Sequence, residues 1–111
     1  MTDYQKLEAI YNEIDTLIAK RVMAESPEFE SWHSRAERFL VNHFGPTTYE
    51  VTDFSNTLFS PTMYVPGADY IRISTCCNGL KKTKDVFKDY LTEIKEEMLV
   101  KDKESKVDAQ T

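Results

Sequence analysis

Cysteine is scarce in this sequence, and its two cysteines lie side by side at Cys76 and Cys77. Adjacent cysteines cannot join distant parts of a small domain, so the chain lacks the disulfide framework of small secreted proteins. On a helix they would point about 100° apart, which does not suit a shared metal ion. The chain also has no glycine-rich phosphate loop, nucleophile elbow or paired-carboxylate motif. We therefore expect reduced thiols, a cytoplasmic protein, and neither a metal site nor a cofactor.

Glycine and proline are also few, with three and four residues in a chain of 111. They stand at the joints between segments, which favours a small number of helices over many short strands. No apolar run approaches the roughly 18 residues that cross a bilayer, and no basic-then-apolar leader follows Met1. We expect neither a membrane span nor an export signal.

Basic residues are the minority among the charges, because 14 Lys and Arg stand against 19 Asp and Glu for a net charge of −5. Nucleic-acid binding depends on neutralising phosphates, so this balance argues against a general nucleic-acid binder. A local basic patch stays compatible with it. At 111 residues, the chain suits one helical domain over residues 1–100 with a core of its own.

Two segments near the start of the chain have clear helical periodicity. From Asp3 to about Ala24, apolar residues recur every three or four positions, which predicts an amphipathic helix. A residue or two later, a second helix has Ser26 as its cap, Pro27 at its first position and Gly45 as its stop. Its predicted buried face consists of Phe29, Trp32, Ala36, Phe39, Leu40 and either His43 or Phe44.

The middle of the chain is less uniform. Thr47 and Glu50 have the spacing of a capping box, which predicts a short third helix, although residues 49–53 also alternate like a strand. Residues 56–67 contain several large apolar side chains, so we expect this loop to pack on the helices.

The last element is a long helix from about Asp69 to Val100. Residues 70–73 alternate like a strand, and Gly79 costs about 1 kcal/mol inside a helix, so we expect a late start or a bend there. The polar residues 101–111 have no periodicity and predict a disordered tail. The predicted fold is all-α: a compact bundle of three to four helices with a long C-terminal helix.

Four lysines share one sector of this last helix, beside its apolar stripe: Lys81, Lys84, Lys88 and Lys95. In one interpretation, their stems cover the edge of the core while the charged ends stay in water. In the other, they form a binding surface for an acidic protein or a nucleotide phosphate.

Arg38 and His43 have the Arg-x4-His spacing of a large class of helical, metal-independent ribonucleases. Side chains five residues apart on a regular helix are turned by about 140°, so they converge only if the helix is distorted or a partner subunit contributes. The alternative interpretation is a salt-bridged Arg38, with His43 at the negative end of the helix dipole.

A set of core and cap residues carries a family resemblance. It consists of Ser26-Pro27-Glu28-Phe29, Trp32, Arg35, Phe39-Leu40, Phe44-Gly45, Phe54, Phe59-Ser60 and Gly79-Leu80. Together these residues resemble a small helical module of bacteria that precedes TIR-like predicted nucleotide-binding domains in defence-associated proteins and also occurs alone. With no effector domain following in this sequence, the resemblance implies a sensing, docking or self-association part, encoded in a bacterium or on a mobile element.

We therefore expect a non-enzymatic protein-interaction or oligomerisation module, whose partner is another protein or a second copy. Its contact surface would combine the lysine row with exposed apolar residues of the loop at 58–65. Two alternatives stay open: a metal-independent ribonuclease or toxin-like enzyme that uses Arg38 and His43, and a small-nucleotide-binding protein in which the lysines contact phosphate.

Overall fold

The computed structural model describes residues 2–61, 63 and 66–110, with side chains as far as Val100. This part of the chain forms four α-helices: α1 (Asp3–Ala19), α2 (Pro27–Phe44), α3 (Tyr49–Asn56) and α4 (Asp69–Gln110). The predicted all-α bundle with a long C-terminal helix is confirmed. Residues 49–53 and 70–73, whose alternation also suited strands, are helical. Residues 101–110, for which the sequence predicts a disordered tail, continue α4 to Gln110, and their side chains lie outside the described part of the chain.

Trp32 occupies the centre of the core. Its side chain is fully buried, and its indole Nε1 donates a hydrogen bond to the backbone oxygen of Ile10 on α1 at 3.0 Å. The aromatic rings around it lie with their centroids 5.8 to 6.4 Å away and belong to Phe29, Phe54, Phe59 and Phe87. The predicted core face of α2 is confirmed, while His43 and Phe44 are both half-buried at its edge.

The predicted boundaries of α2 are correct, but one of its capping contacts is not. Pro27 opens the helix, and Gly45 closes it with a φ of +109°. Ser26 stands at the N-cap position, yet its hydroxyl accepts a hydrogen bond from the Met23 amide at 3.0 Å and makes no contact with the first amides of α2. The side chain therefore stabilises the turn that precedes the helix.

The predicted capping box at Thr47 and Glu50 is wrong. The N-cap residue of α3 is Thr48, and its hydroxyl donates to the Gly45 carbonyl at 2.9 Å instead of accepting from α3. A capping box does form at the start of α1, between Thr2 and Gln5, with hydrogen bonds of 3.0 and 3.2 Å. The same Thr-x-x-Gln pattern was present in the sequence and would have indicated it.

The first helix ends at Ala19, five residues before its predicted end. Arg21 adopts the left-handed conformation with a φ of +54°. Its amide donates to Ile18 at 3.1 Å, and the Val22 amide donates to Leu17 at 3.5 Å. These are the two hydrogen bonds of a Schellman motif, a helix ending that usually places glycine where Arg21 stands. The apolar periodicity predicts too late an end because Val22 is still buried in the core and no glycine marks the end of the helix.

Gly79 does not delay the start of α4, which contrasts with the prediction, and the helix passes through it without interruption. A Cβ atom at this position would lie 2.5 Å from the Leu58 carbonyl oxygen and 2.7 Å from the Phe59 ring. The glycine therefore lets the loop after α3 pack directly on the helix. Phe59 is buried there as predicted, while Leu58 and Met63 are exposed, and residues 64–65 lie outside the described part of the chain.

We predict that Gly79→Ala destabilises the protein even though alanine is the better helix former. The added methyl group must displace the loop backbone, and overpacking of this kind costs about 1–3 kcal/mol. Urea denaturation measures the free energy of unfolding. The matched control is Asn78→Ala on the exposed neighbouring position, which gains helix propensity without a steric cost. Equal stability of the two variants would contradict the packing role of Gly79.

We predict that Arg21→Gly stabilises the protein by about 1 kcal/mol, because glycine adopts the left-handed conformation without a steric cost. The midpoint of chemical denaturation reports the change. Lys20→Gly is the control, since Lys20 has an ordinary right-handed φ of −78°, and we expect a small loss of stability there. A loss in both variants would show that the Arg21 side chain contributes more than its backbone strain costs.

Candidate functional site

Arg38 and His43 border a cleft of about 360 Å³ between α1 and α2. The α2 helix is uninterrupted, so neither the distortion nor the partner subunit considered from the sequence is needed to bring both residues to one site. They reach it from adjacent rows of the helix, because Arg38 continues the row of Arg35 and His43 continues the row of Phe39. The residues that line the cleft are Asp3, Lys6, Ala9, Ile10, Arg35, Arg38, Phe39, Asn42 and His43.

His43, near the end of α2, is held by Asp3 at the start of α1. The Nδ1 atom of His43 lies 2.6 Å from Oδ2 of Asp3. Since a carboxylate only accepts, Nδ1 carries the proton and donates it, whichever charge state the ring has. The ring also stacks on Phe39, with the two planes 7° apart. The imidazole is therefore fixed in orientation, and its Nε2 atom makes no hydrogen bond with the described residues.

A second contact between the two helices involves Arg35 and Glu13. Nη1 of Arg35 donates to both carboxylate oxygens of Glu13 at 2.8 and 3.0 Å, and its Nε donates to the Ser31 carbonyl oxygen at 3.3 Å. One interpretation of the sequence gives Arg38 a salt bridge. Among the described residues Arg38 forms none, and the bridging arginine of α2 is Arg35.

Two cations lie between these contacts along both helices. Lys6 stands between Asp3 and Glu13 on α1, and Arg38 stands between Arg35 and His43 on α2. Both line the cleft, and neither forms an ion pair or a side-chain hydrogen bond with any described residue. The antiparallel helices thus place an acid against a base on either side of the cleft, and two bases within it. The Arg-x4-His spacing in the sequence points to Arg38, whereas Lys6 belongs to no motif that would distinguish it.

One member of the predicted lysine row contacts another helix. Lys84 binds across to α1, with its Nζ atom 2.8 Å from Oδ1 of Asp15 and 5.9 Å above the Tyr11 ring. The hydrogen bond to Asp15 raises the pKa of Lys84. Lys88 and Lys95 border a separate groove between α1 and α4 of about 470 Å³, and Lys81 is exposed. Lys84 therefore ties α4 to α1, and its pairing with Asp15 interrupts the cationic surface between Lys81 and Lys88.

Two further titratable side chains, His33 and Cys76, contact the core or lie within it. His33 stacks on Phe54 with the ring centroids 4.8 Å apart, and burial lowers its pKa despite Glu37 nearby. Cys76 is a buried free thiol, and burial raises its pKa to about 12, which makes it a poor nucleophile at neutral pH.

In the described part of the chain, no three His, Cys, Asp or Glu side chains come together in a way that would hold a metal ion. None of the helices described here combines the length and the apolar character that a bilayer-spanning segment needs.

The chain matches no family model, no curated protein and no solved structure. The resemblance to the bacterial defence-associated module therefore stays a prediction.

Proposed function

We propose that the protein is a non-enzymatic binding module that takes a small phosphorylated ligand in the α1–α2 cleft. The observation that carries this proposal is a pair of cations, Lys6 and Arg38, that line the cleft and form no ion pair with any described residue, while two cross-helix acid–base contacts lie beside them. Like charges that share a cleft repel each other, and a bound anion relieves that repulsion. The net charge of −5 describes the whole chain and does not reveal this local group of cations.

The chemistry of the donors supports phosphate. The guanidinium of Arg38 offers a planar fork for two oxygens, and Lys6 offers a mobile point charge. The Asn42 amide adds a neutral donor at the same wall. Ile10 and Phe39 supply an apolar floor, and a volume of about 360 Å³ lies within the ordinary range for small-molecule sites. A nucleotide-sized molecule suits this volume and this set of donors. We therefore propose that phosphate contacts the cleft, and not the lysine row considered from the sequence.

We predict that a nucleotide of a panel of mono-, di-, tri- and cyclic phosphates binds the wild-type protein in isothermal titration calorimetry. Arg38→Gln should weaken that binding at least about tenfold, because charge-assisted hydrogen bonds contribute roughly 1.5–3 kcal/mol. Lys81→Gln is the matched control, since it removes one positive charge from the lysine row and leaves the cleft intact. Binding that is lost in Lys81→Gln and kept in Arg38→Gln would contradict the cleft as the site.

The ribonuclease hypothesis uses the same cleft, and an RNA cleavage assay distinguishes it from ligand binding. RNA incubated with the wild-type protein should remain intact under conditions in which the nucleotide binds. Cleavage by the wild-type protein that disappears in His43→Ala would overturn the non-enzymatic proposal and would favour Arg38 and His43 as catalytic residues.

Docking to a protein partner or a second copy is the second candidate function. It is supported by large apolar side chains that remain in water at one end of the bundle: Leu58 is 60% exposed, Met63 76% and Tyr70 69%. The first two belong to the loop for which the sequence predicts a contact surface. An accessory role in bacterial defence, in a reducing cytoplasm that suits two free cysteines, belongs to this proposal.

We predict that self-association, if it is the role of this loop, appears as a mass above the 12.9 kDa of one chain in size-exclusion chromatography with light scattering. The double variant Leu58→Ser with Met63→Ser should then return to the monomer mass. Leu99→Ser, an exposed position near the other end of α4, is the control. A wild-type protein that stays monomeric at high concentration contradicts self-association through this surface.

A further inference from the structure

Asp3 stands in the α1–α2 cleft as an internal anion. It is the only acidic residue among those that line the cleft, and its carboxylate lies 2.6 Å from Nδ1 of His43. Its side chain is 49% exposed, while that of His43 is 18% exposed. The carboxylate therefore reaches inward from the solvent edge and meets the most enclosed donor of the site.

The position of Asp3 is held by the backbone. Asp3 is the first residue of α1, and the reciprocal hydrogen bonds of Thr2 and Gln5 close the first turn around it. Its negative charge also suits the positive end of the α1 dipole. The carboxylate is thus kept at the cleft mouth in the free protein, rather than reaching it by chance as a flexible side chain.

The contact leaves the other cations of the cleft unsatisfied. The Asp3 carboxylate forms no ion pair with Lys6 or Arg38 among the described residues, and it accepts a hydrogen bond from His43 alone. It nevertheless lowers the positive potential for any anion that enters, because charges a few ångströms apart interact appreciably at a protein surface. We expect an incoming phosphate to recruit His43 as a further donor beside Lys6 and Arg38, and the Nδ1–H of His43 is already held by Asp3.

We infer that Asp3 competes with the ligand for His43, so that a phosphate binds the cleft by displacing the Asp3 carboxylate. This inference rests on the proposed function and adds its regulation. The affinity of the site is then set below the value that its cations allow, and ligand binding releases the first turn of α1 from the end of α2. Conversely, whatever strengthens the Asp3–His43 contact weakens the ligand, because coupling between two sites is reciprocal.

The test uses the full chain and two probes, inorganic phosphate and adenosine monophosphate. Asp3→Asn keeps the shape and a hydrogen-bond acceptor for Nδ1 of His43 but removes the charge, so we expect it to tighten binding of both probes about fivefold to tenfold. Asp3→Glu keeps the charge and should bind near the wild-type level. Glu8→Gln changes the net charge equally on a face of α1 that borders the other groove, and it should change affinity less than twofold.

The spectrum of His43 gives an independent readout. In nuclear magnetic resonance, the imidazole signals of His43 should move when phosphate is added to the wild-type protein, and should already be displaced in ligand-free Asp3→Asn. Circular dichroism confirms that each variant is folded. If neither the wild-type protein nor Asp3→Asn binds a probe, the proposed function fails together with this inference. If both bind with equal affinity, competition by Asp3 is refuted while the binding function stands.

Discussion

The way in which Trp32 is seated between the helices determines the rest of the structure. A buried indole N–H must find an acceptor, and here the acceptor is the Ile10 carbonyl oxygen of α1 at 3.0 Å. The close packing of side chains between α1 and α2 already resists sliding of one helix along the other. One directional hydrogen bond at the centre of the core adds a specific alignment to that packing. The surrounding phenylalanines then bring α3, the following loop and α4 onto the same ring.

The charge pattern of the cleft follows from this register. With α2 held at one position along α1, Asp3 meets His43 and Glu13 meets Arg35, and Lys6 and Arg38 pair with none of the described acids. A shift of one helical turn would pair these groups differently. The alignment of two amphipathic helices thus produces the site. Its excess of positive charge comes from both helices, because Lys6 belongs to α1 and Arg38 to α2. The same alignment explains how an acidic protein presents a cationic cleft.

Two positions depart from local rules where the tertiary structure requires it. Arg21 takes a conformation that glycine adopts more easily, since the chain must reverse there for Val22 to reach the core beside Leu17. Gly79 weakens the interior of α4 locally, and in return the Leu58 carbonyl and the Phe59 ring approach the helix more closely than any side chain would permit. In both cases, packing between distant segments outweighs a local preference of about 1 kcal/mol.

The sequence by itself determined the all-α class, the two ends of α2 and the buried face that contains Trp32. These features depend on periodicity and on residues such as Pro27 and Gly45, which act over a single turn. Arg38 and His43 were also identified from their spacing, but only the tertiary structure decided what surrounds them. Asp3 lies 40 residues from His43 in the chain, and no local pattern specifies which acid of α1 meets which base of α2. That choice is made by the packing of the whole core around one indole, which also leaves Lys6 and Arg38 without a partner among the described residues.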